Sequence, residues 1–221
     1  MKRVIIIGAS SGIGRLIAEY YASNGCRVAI AARREDNLKE TARKYPQNIL
    51  YCAMDVTDCN SPQVFQDMTD SLGGVDLVIY CSGYGKYSHD LLLETEHNTV
   101  DVNIKGFLNV VIPAFNYFAS RKEQPQYKPQ IVTISSVASV RGLGSSPAYS
   151  ATKRFQTIYF EALAQLSSIK DANIDFTAIK PGFIATDFIS RKYPCTMQLT
   201  YAVRKIVRAI EKRKKNAVID W

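Results

Sequence analysis

The chain alternates short β-branched runs with stretches in which apolar residues recur every three or four positions. Val4, Ile5, Ile6 and Ile7 form the first run, apolar on both faces, and Gly8 ends it. A strand buried on both sides of a parallel sheet has this pattern. Ile13, Leu16, Ile17, Tyr20 and Tyr21 then keep a helical period, which predicts a helix over 13–24 stopped by Asn24-Gly25. The same alternation predicts further strands over 27–31, 49–53, 76–80, 130–135, 174–179 and 217–219, and helices over 34–45, 62–72, 95–119, 149–168 and 201–214. Pro46 closes the second helix and Ser61 is placed to cap the third. Pro113 falls inside the long fourth helix, which must tolerate it or bend.

Strands and helices joined by short links predict one α/β domain over 1–221. Its expected core is a Rossmann-type, doubly wound parallel sheet of about seven strands with helices on both faces. Such sheets bind ligands outside the carboxyl ends of their strands. The segments that follow the strands are therefore where chemistry is expected. The polar stretch 121–129, with Pro125 and Pro129, reads as a surface loop.

Composition narrows the choice of class. A 47% hydrophobic, 22% charged chain suits a packed domain and argues against disorder. No apolar run approaches the ~18 residues of a membrane span, and the four apolar residues after Met1-Lys2-Arg3 are too few for a signal peptide. Cys26, Cys52, Cys59, Cys81 and Cys195 have no metal-ligand spacing and an odd count, so a reducing cytoplasmic setting is expected. The net charge of +8 favours anionic ligands. Much of the excess lies over 204–215, read as a solvated helix face, with docking of an acidic partner as the alternative. No zinc-finger or aromatic RNA-binding pattern accompanies it, so no nucleic acid is expected. Membrane contact is not expected either. A tail lost from beside the terminal Trp221 is the one feature that would reopen it.

The first candidate chemistry is the turn Gly8-Ala9-Ser10-Ser11-Gly12-Ile13-Gly14, between the first strand and first helix. Small residues let backbone approach an anion, and a helix N-terminus offers free N–H groups and a positive dipole end. The strand–turn–helix context is what makes a glycine triplet informative. After the second strand comes Ala32-Arg33-Arg34. An acidic residue there would bond a ribose hydroxyl, whereas a guanidinium suits a 2′-phosphate. Arg33 is the first choice for that contact and Arg34 its assistant. The alternative is that both merely open a charged helix.

The second candidate joins Ser136, at the carboxyl end of the fifth strand, to Tyr149 and Lys153. The tyrosine and lysine are four residues apart and share a helix face. Ser135 points to the other side if the strand continues. Reducing a carbonyl needs a hydride at carbon and a proton at oxygen. A free tyrosine has a pKa of about 10, and a neighbouring ammonium is expected to lower it toward working pH.

Gly-x-x-x-Gly-x-Gly at 8–14 and Ser-x12-Tyr-x3-Lys at 136–153 together resemble the short-chain dehydrogenase/reductase family, over Lys2 to about Phe188. The resemblance implies an NADP(H)-dependent oxidoreductase acting on a small carbonyl/alcohol substrate. It makes Tyr149 the acid/base, places Ser136 on the substrate oxygen and sets Lys153 also on the nicotinamide ribose. It further implies that Asp55, beside Val56, bonds adenine, that Gly83 allows close approach, and that Asn103 in Asp101-Val102-Asn103 holds a relay water. Pro181, Gly182, Ile184 and Thr186 would lie along the nicotinamide. Homo-oligomers are expected from the resemblance as well. The rival reading is a non-catalytic NADP(H)-binding regulator or scaffold, against which the retained Ser136, Tyr149 and Lys153 argue.

Two departures stand out. Tyr80-Cys81-Ser82-Gly83 replaces the family's usual Asn-Asn-Ala-Gly, which removes asparagine bonds between central strands. Cys81 there reads as a buried thiol rather than a redox centre. The C-terminal end is also short for the family, as is 188–199 for a lid. An open site, closure by another subunit and a truncated form all remain open. His89 and His97, after the fourth strand, read as surface residues.

Overall fold

The computed structural model describes residues 1–121, 128–186 and 195–220. The short lid expected over 188–199 and the Trp221 end therefore fall largely outside the described residues, as do positions 122–127 of the polar loop. Seven strands are described: β1 Arg3–Ile7, β2 Arg27–Ala32, β3 Ile49–Ala53, β4 Leu77–Tyr80, β5 Gln130–Ile134, β6 Asp175–Pro181 and β7 Asn216–Ile219. Every pairing is parallel, in the order β3-β2-β1-β4-β5-β6-β7. The helices are α1 Gly12–Ser23, α2 Glu35–Lys44, α3 Ser61–Ser71, α4 Leu93–Val100, α5 Gly106–Ala119, α6 Pro147–Ile169 and α7 Leu199–Glu211.

The period-two alternation of each strand builds two cores. Val4 and Ile6 pack with Ile17, Leu38, Val203 and Ile206 from α1, α2 and α7. Ile5 and Ile7 pack with Phe65, Phe107, Val111 and Phe160 from α3, α5 and α6. All four β1 residues are fully buried, as a strand covered on both faces requires. The chain reverses direction of winding between β1 and β4, where Ile7 pairs with both Ala31 and Tyr80. That reversal opens a crevice at the carboxyl edge of the sheet.

Two local expectations are corrected. Ser61 does not cap α3: Asn60 occupies that position. Ser61 is instead the first helical residue, and its hydroxyl donates to the Asp55 carbonyl at 2.6 Å. The expected long helix begins earlier, at Leu93, and is broken in character by a π-helical turn, Asp101–Lys105. Pro113 sits inside α5 without ending it. A π-turn shifts the hydrogen-bond ladder by one residue and is often found at functional sites. Here its carbonyls are met from outside. Tyr80, fully buried, donates its hydroxyl to the Val102 carbonyl at 2.8 Å. The tyrosine that replaces an asparagine of the family thus ties β4 to the π-turn by a different bond.

Tyr80→Phe should therefore keep the packing and lose this bond. We expect a stability loss of about 1 kcal/mol in urea unfolding, the usual size for one buried hydrogen bond. An unchanged midpoint would show that the Val102 carbonyl is satisfied without it.

Candidate active site

The turn after β1 is a close-packed cradle. Gly8 has φ +89, and a Cβ there would come within 2.5 Å of the Ser82 backbone nitrogen. A Cβ on Gly14 would collide with the Gly8 carbonyl, so glycine lets α1 start hard against β1. Gly12 has φ +56 and lies under Thr186, whose Cγ2 would be 3.6 Å from a Cβ there. Ser11 precedes α1 in an extended conformation, with no side-chain bond to the helix N–H groups. Ile13 packs its partly buried side chain on the core.

Arg34 reaches across this turn. Its Nη2 donates to the Ser10 hydroxyl at 3.0 Å and to the Ser11 hydroxyl at 2.6 Å. Arg33, the residue given priority from the sequence, is exposed and makes neither contact. Its charge acts on Asp55 instead. Burial opposes ionisation of Asp55, but two hydrogen bonds from Thr57, at 3.0 and 2.8 Å, outweigh it together with Arg33 and hold the carboxyl below its ordinary range. Val56 is buried against Gly106, and its carbonyl accepts from Asn109 at 2.9 Å. Asp55 and Val56 thus stand at the carboxyl edge of β3, beside Arg33.

The chemical end lies at the carboxyl edges of β4 and β5. Ser136 is extended and begins a short 3₁₀ turn, Val137–Ser139, accepting from the Ala138 N–H at 3.1 Å. Its hydroxyl also hydrogen-bonds Tyr149. Ser135 points away, donating to the Lys153 carbonyl at 3.0 Å. The first turn of α6 carries Tyr149, and Lys153 follows one turn later with its Nζ 5.8 Å from the centre of the Tyr149 ring. The α6 start lacks a cap from its own Ser146. Glu96 of α4 supplies one, accepting from the Ala148 N–H at 2.9 Å. Gly85 lies flat on Tyr149: a Cβ there would come within 2.5 Å of the ring.

Asn103 lies buried in the π-turn. Its side-chain amide is taken up by protein groups. It clamps the Tyr84 backbone, accepting from the N–H at 2.9 Å and donating to the carbonyl at 2.8 Å, and also donates to Thr152 at 3.0 Å. The clamp holds residues 84–85 against Tyr149. The Asn103 carbonyl accepts from Gln156 at 2.9 Å.

The expected electrostatics are corrected too. Lys153 was to lower the Tyr149 pKa by its charge. Burial wins instead and raises the phenol, against a smaller lowering from the Ser136 hydrogen bond. Burial likewise lowers Lys153 from 10.5 to about 8, with Cys81 a smaller opposing influence. Cys81 is pushed up to about 12 by burial, which leaves it an unreactive thiol.

The remaining predicted residues divide. Gly83 is exposed, and a Cβ there would be 3.4 Å from Lys153 Nζ. Pro181 ends β6, and the Gly182 N–H bonds the Ile219 carbonyl at 2.9 Å. Ile184 has its side chain in the core with Met197, so only its backbone can border a ligand, whereas Thr186 stands over the glycine turn. His89 and His97 are exposed. A cavity of about 600 Å³ between α6 and the starts of β6 and β7 lies at the opposite edge of the sheet and contains none of these residues. Sequence reasoning missed Glu96, Thr152 and Gln156. Gln156 had a readable signal, since it lies three residues beyond Lys153 on the same stripe of α6.

The family model described as short chain dehydrogenase matches residues 2–194. An uncharacterized oxidoreductase of Mycobacterium tuberculosis strain H37Rv is 30% identical over 231 residues, covering 100% of this chain and 88% of that protein. Glycine betaine reductase of Emericella nidulans is 32% identical over 194 residues, 85% of this chain but only 15% of that much longer protein. A 3-ketoacyl-(acyl-carrier-protein) reductase of Brucella melitensis, solved with NADH, superposes with a TM-score of 0.88 at 20% identity, over 99% of this chain and 96% of that one. The chain belongs to the short-chain dehydrogenase family of oxidoreductases.

The lowered Lys153 pKa sets a pH dependence of stability. Unfolding restores the ordinary value, so between about 8 and 10.5 the unfolded chain binds more protons and stability rises with pH. Relative to Lys153→Met, the native protein should gain about 2 kcal/mol in urea unfolding between pH 7.5 and 9.5. A pH-independent gap between the two would mean that the amine titrates normally when folded.

Proposed function

We propose that this protein is an NADP(H)-dependent reductase or dehydrogenase of carbonyl/alcohol substrates. The observation that carries the reading is the half-buried Ser136–Tyr149 hydrogen bond, with the Lys153 amine beside the ring, at the edge of the sheet where the glycine cradle opens. The cradle suits a dinucleotide because glycine is sterically required at 8 and 14 and the α1 start carries no side-chain cap. Arg34, bonded to Ser10 and Ser11, brings a permanent positive charge to that turn. Preference for the 2′-phosphorylated cofactor rests on Arg34, supported by the exposed Arg33.

A bound nicotinamide supplies or accepts the hydride. Ser136 donates to the substrate oxygen and holds it beside Tyr149. In reduction Tyr149 passes its phenolic proton to that oxygen and is left as the phenolate. Lys153, when charged, stabilises the phenolate, and the proton is then restored from solvent at the partly exposed face of Tyr149. In oxidation the same atoms run in reverse. The segments bordering this edge carry exposed Leu91, Leu92, Leu93, Val140 and Leu143, which supports a substrate with an apolar body. They are tied together by the Ser88 N–H on the Ser145 carbonyl at 3.0 Å.

Two measurements test the proposal. NADPH oxidation should be observed against a panel of aldehydes, diketones, 3-oxoacyl thioesters and ketosteroids. Tyr149→Phe should lower kcat/KM by about 10²-fold or more, the usual weight of a general acid, with NADPH affinity kept. Turnover indifferent to Tyr149→Phe would remove the tyrosine from the chemistry. Arg34→Glu should weaken NADPH binding by at least tenfold while sparing NADH, because it puts a carboxylate where the 2′-phosphate is to sit. Equal losses for both cofactors would show that Arg34 merely holds the turn together.

A further inference from the structure

Lys153 is 3% exposed and takes part in none of the ion pairs among the described residues. Its Nζ donates to the Ile134 carbonyl at the end of β5, at 3.0 Å, and to the Gln156 Oε1 at 3.2 Å. Gln156 is itself fully buried and cannot turn freely. Its Nε2 is engaged by the Asn103 carbonyl in the π-turn, at 2.9 Å, and Thr133 approaches its Oε1 at 3.5 Å. The amide is thus fixed with its oxygen toward the amine. An ammonium has three N–H donors. With two directed at fixed acceptors, rotation about the terminal bond is stopped and the direction of the third is set.

We infer that Gln156 is a positioning residue of this site: its amide bridges Lys153 Nζ and the Asn103 carbonyl and so fixes where the remaining N–H of Lys153 points. The inference rests on reading Lys153 as part of the active site. Two chemical consequences follow. The acceptor on Gln156 favours the charged amine and opposes the burial that disfavours it. The bridge also fills the Asn103 carbonyl with a side chain of the protein, so the deep side of Lys153 is closed by Gln156. The titratable groups that face the amine are Cys81, after β4, and Tyr149, on α6. Neither supplies a fixed negative charge at neutral pH, because burial raises both. The uncharged oxygens of the Ile134 backbone and the Gln156 side chain offset the amine's burial as hydrogen-bond acceptors instead.

The test reads the amine directly, without any substrate. Lys153 is followed by NMR in protein labelled at lysine Cε, assigned with Lys153→Met. Gln156→Met keeps the length and removes the acceptor, and should lower the Lys153 titration midpoint by about one pH unit. Gln156→Glu should raise it by a similar amount. A structural role alone would not move the two variants in opposite directions. If neither midpoint moves, or both move the same way, the inference is overturned. Should Gln156→Met fail to fold, Gln156→Glu decides: a raised midpoint supports the bridge and an unmoved one overturns it. Opposed midpoints in a protein that turns over no carbonyl would leave the bridge standing and sink the proposed reaction. Turnover with unmoved midpoints would do the reverse.

Discussion

An amine held out of water without a carboxylate beside it is expensive, and much of the carboxyl edge of the sheet is arranged around that constraint. Lys153 cannot be neutralised by an ion pair without losing the charge it can offer a phenolate. Its burial is instead offset by two carbonyl acceptors, from Ile134 and Gln156, each on a rigid element. Burial is still the larger influence, since the amine is lowered to about 8. A group poised there changes charge near neutral pH, which is where acid/base chemistry is most effective.

The π-turn is joined to the same site. It lies between α4 and α5, and two of its carbonyls are met by side chains from β4 and α6. Over Asp101–Lys105 the carbonyls of Val102 and Asn103 each accept a bond from outside the turn. Tyr80 takes the first and Gln156 the second. The Asn103 side chain, placed by the same turn, clamps Tyr84 and thereby sets Gly85 on the Tyr149 ring. One irregularity in a helix therefore positions the amine from one side and the phenol from the other. The tyrosine at position 80 is part of this arrangement: it replaces a strand-to-strand amide with a bond from β4 to the turn.

What the sequence makes legible is what depends on period and order. Alternating runs give the seven parallel strands and the two helix layers, because burial on one face or two leaves a repeat that can be counted. The glycine turn is legible because Gly8 and Gly14 are sterically compelled. Ser136, Tyr149 and Lys153 are legible from spacing along one helix and one strand end. The bonds that cross elements are not. Glu96 capping α6 and Arg34 reaching back over Ser10 and Ser11 depend on how separate segments meet. Which of Arg33 and Arg34 lies over the glycine turn depends on the direction of a side chain at a strand end, which no periodicity fixes. The π-turn left no mark in the hydrophobic pattern, since one slipped residue hardly shifts an apolar stripe.

The lysine charge alone would draw the phenol down toward neutrality. In the folded protein both groups share one poorly solvated pocket, and burial disfavours the phenolate and the ammonium alike. A phenolate formed beside the Lys153 amine would therefore gain from its charge. On the proposed function the resting site holds a protonated phenol, which would give its proton to an oxygen held by Ser136. With a pKa of about 8 the amine is already largely charged near neutral pH, and in the proposed reaction a developing phenolate would hold it so. On the proposed reaction the positive charge stands ready before the chemistry and meets its counter-charge only as the phenolate forms, which places that stabilisation in the reacting state.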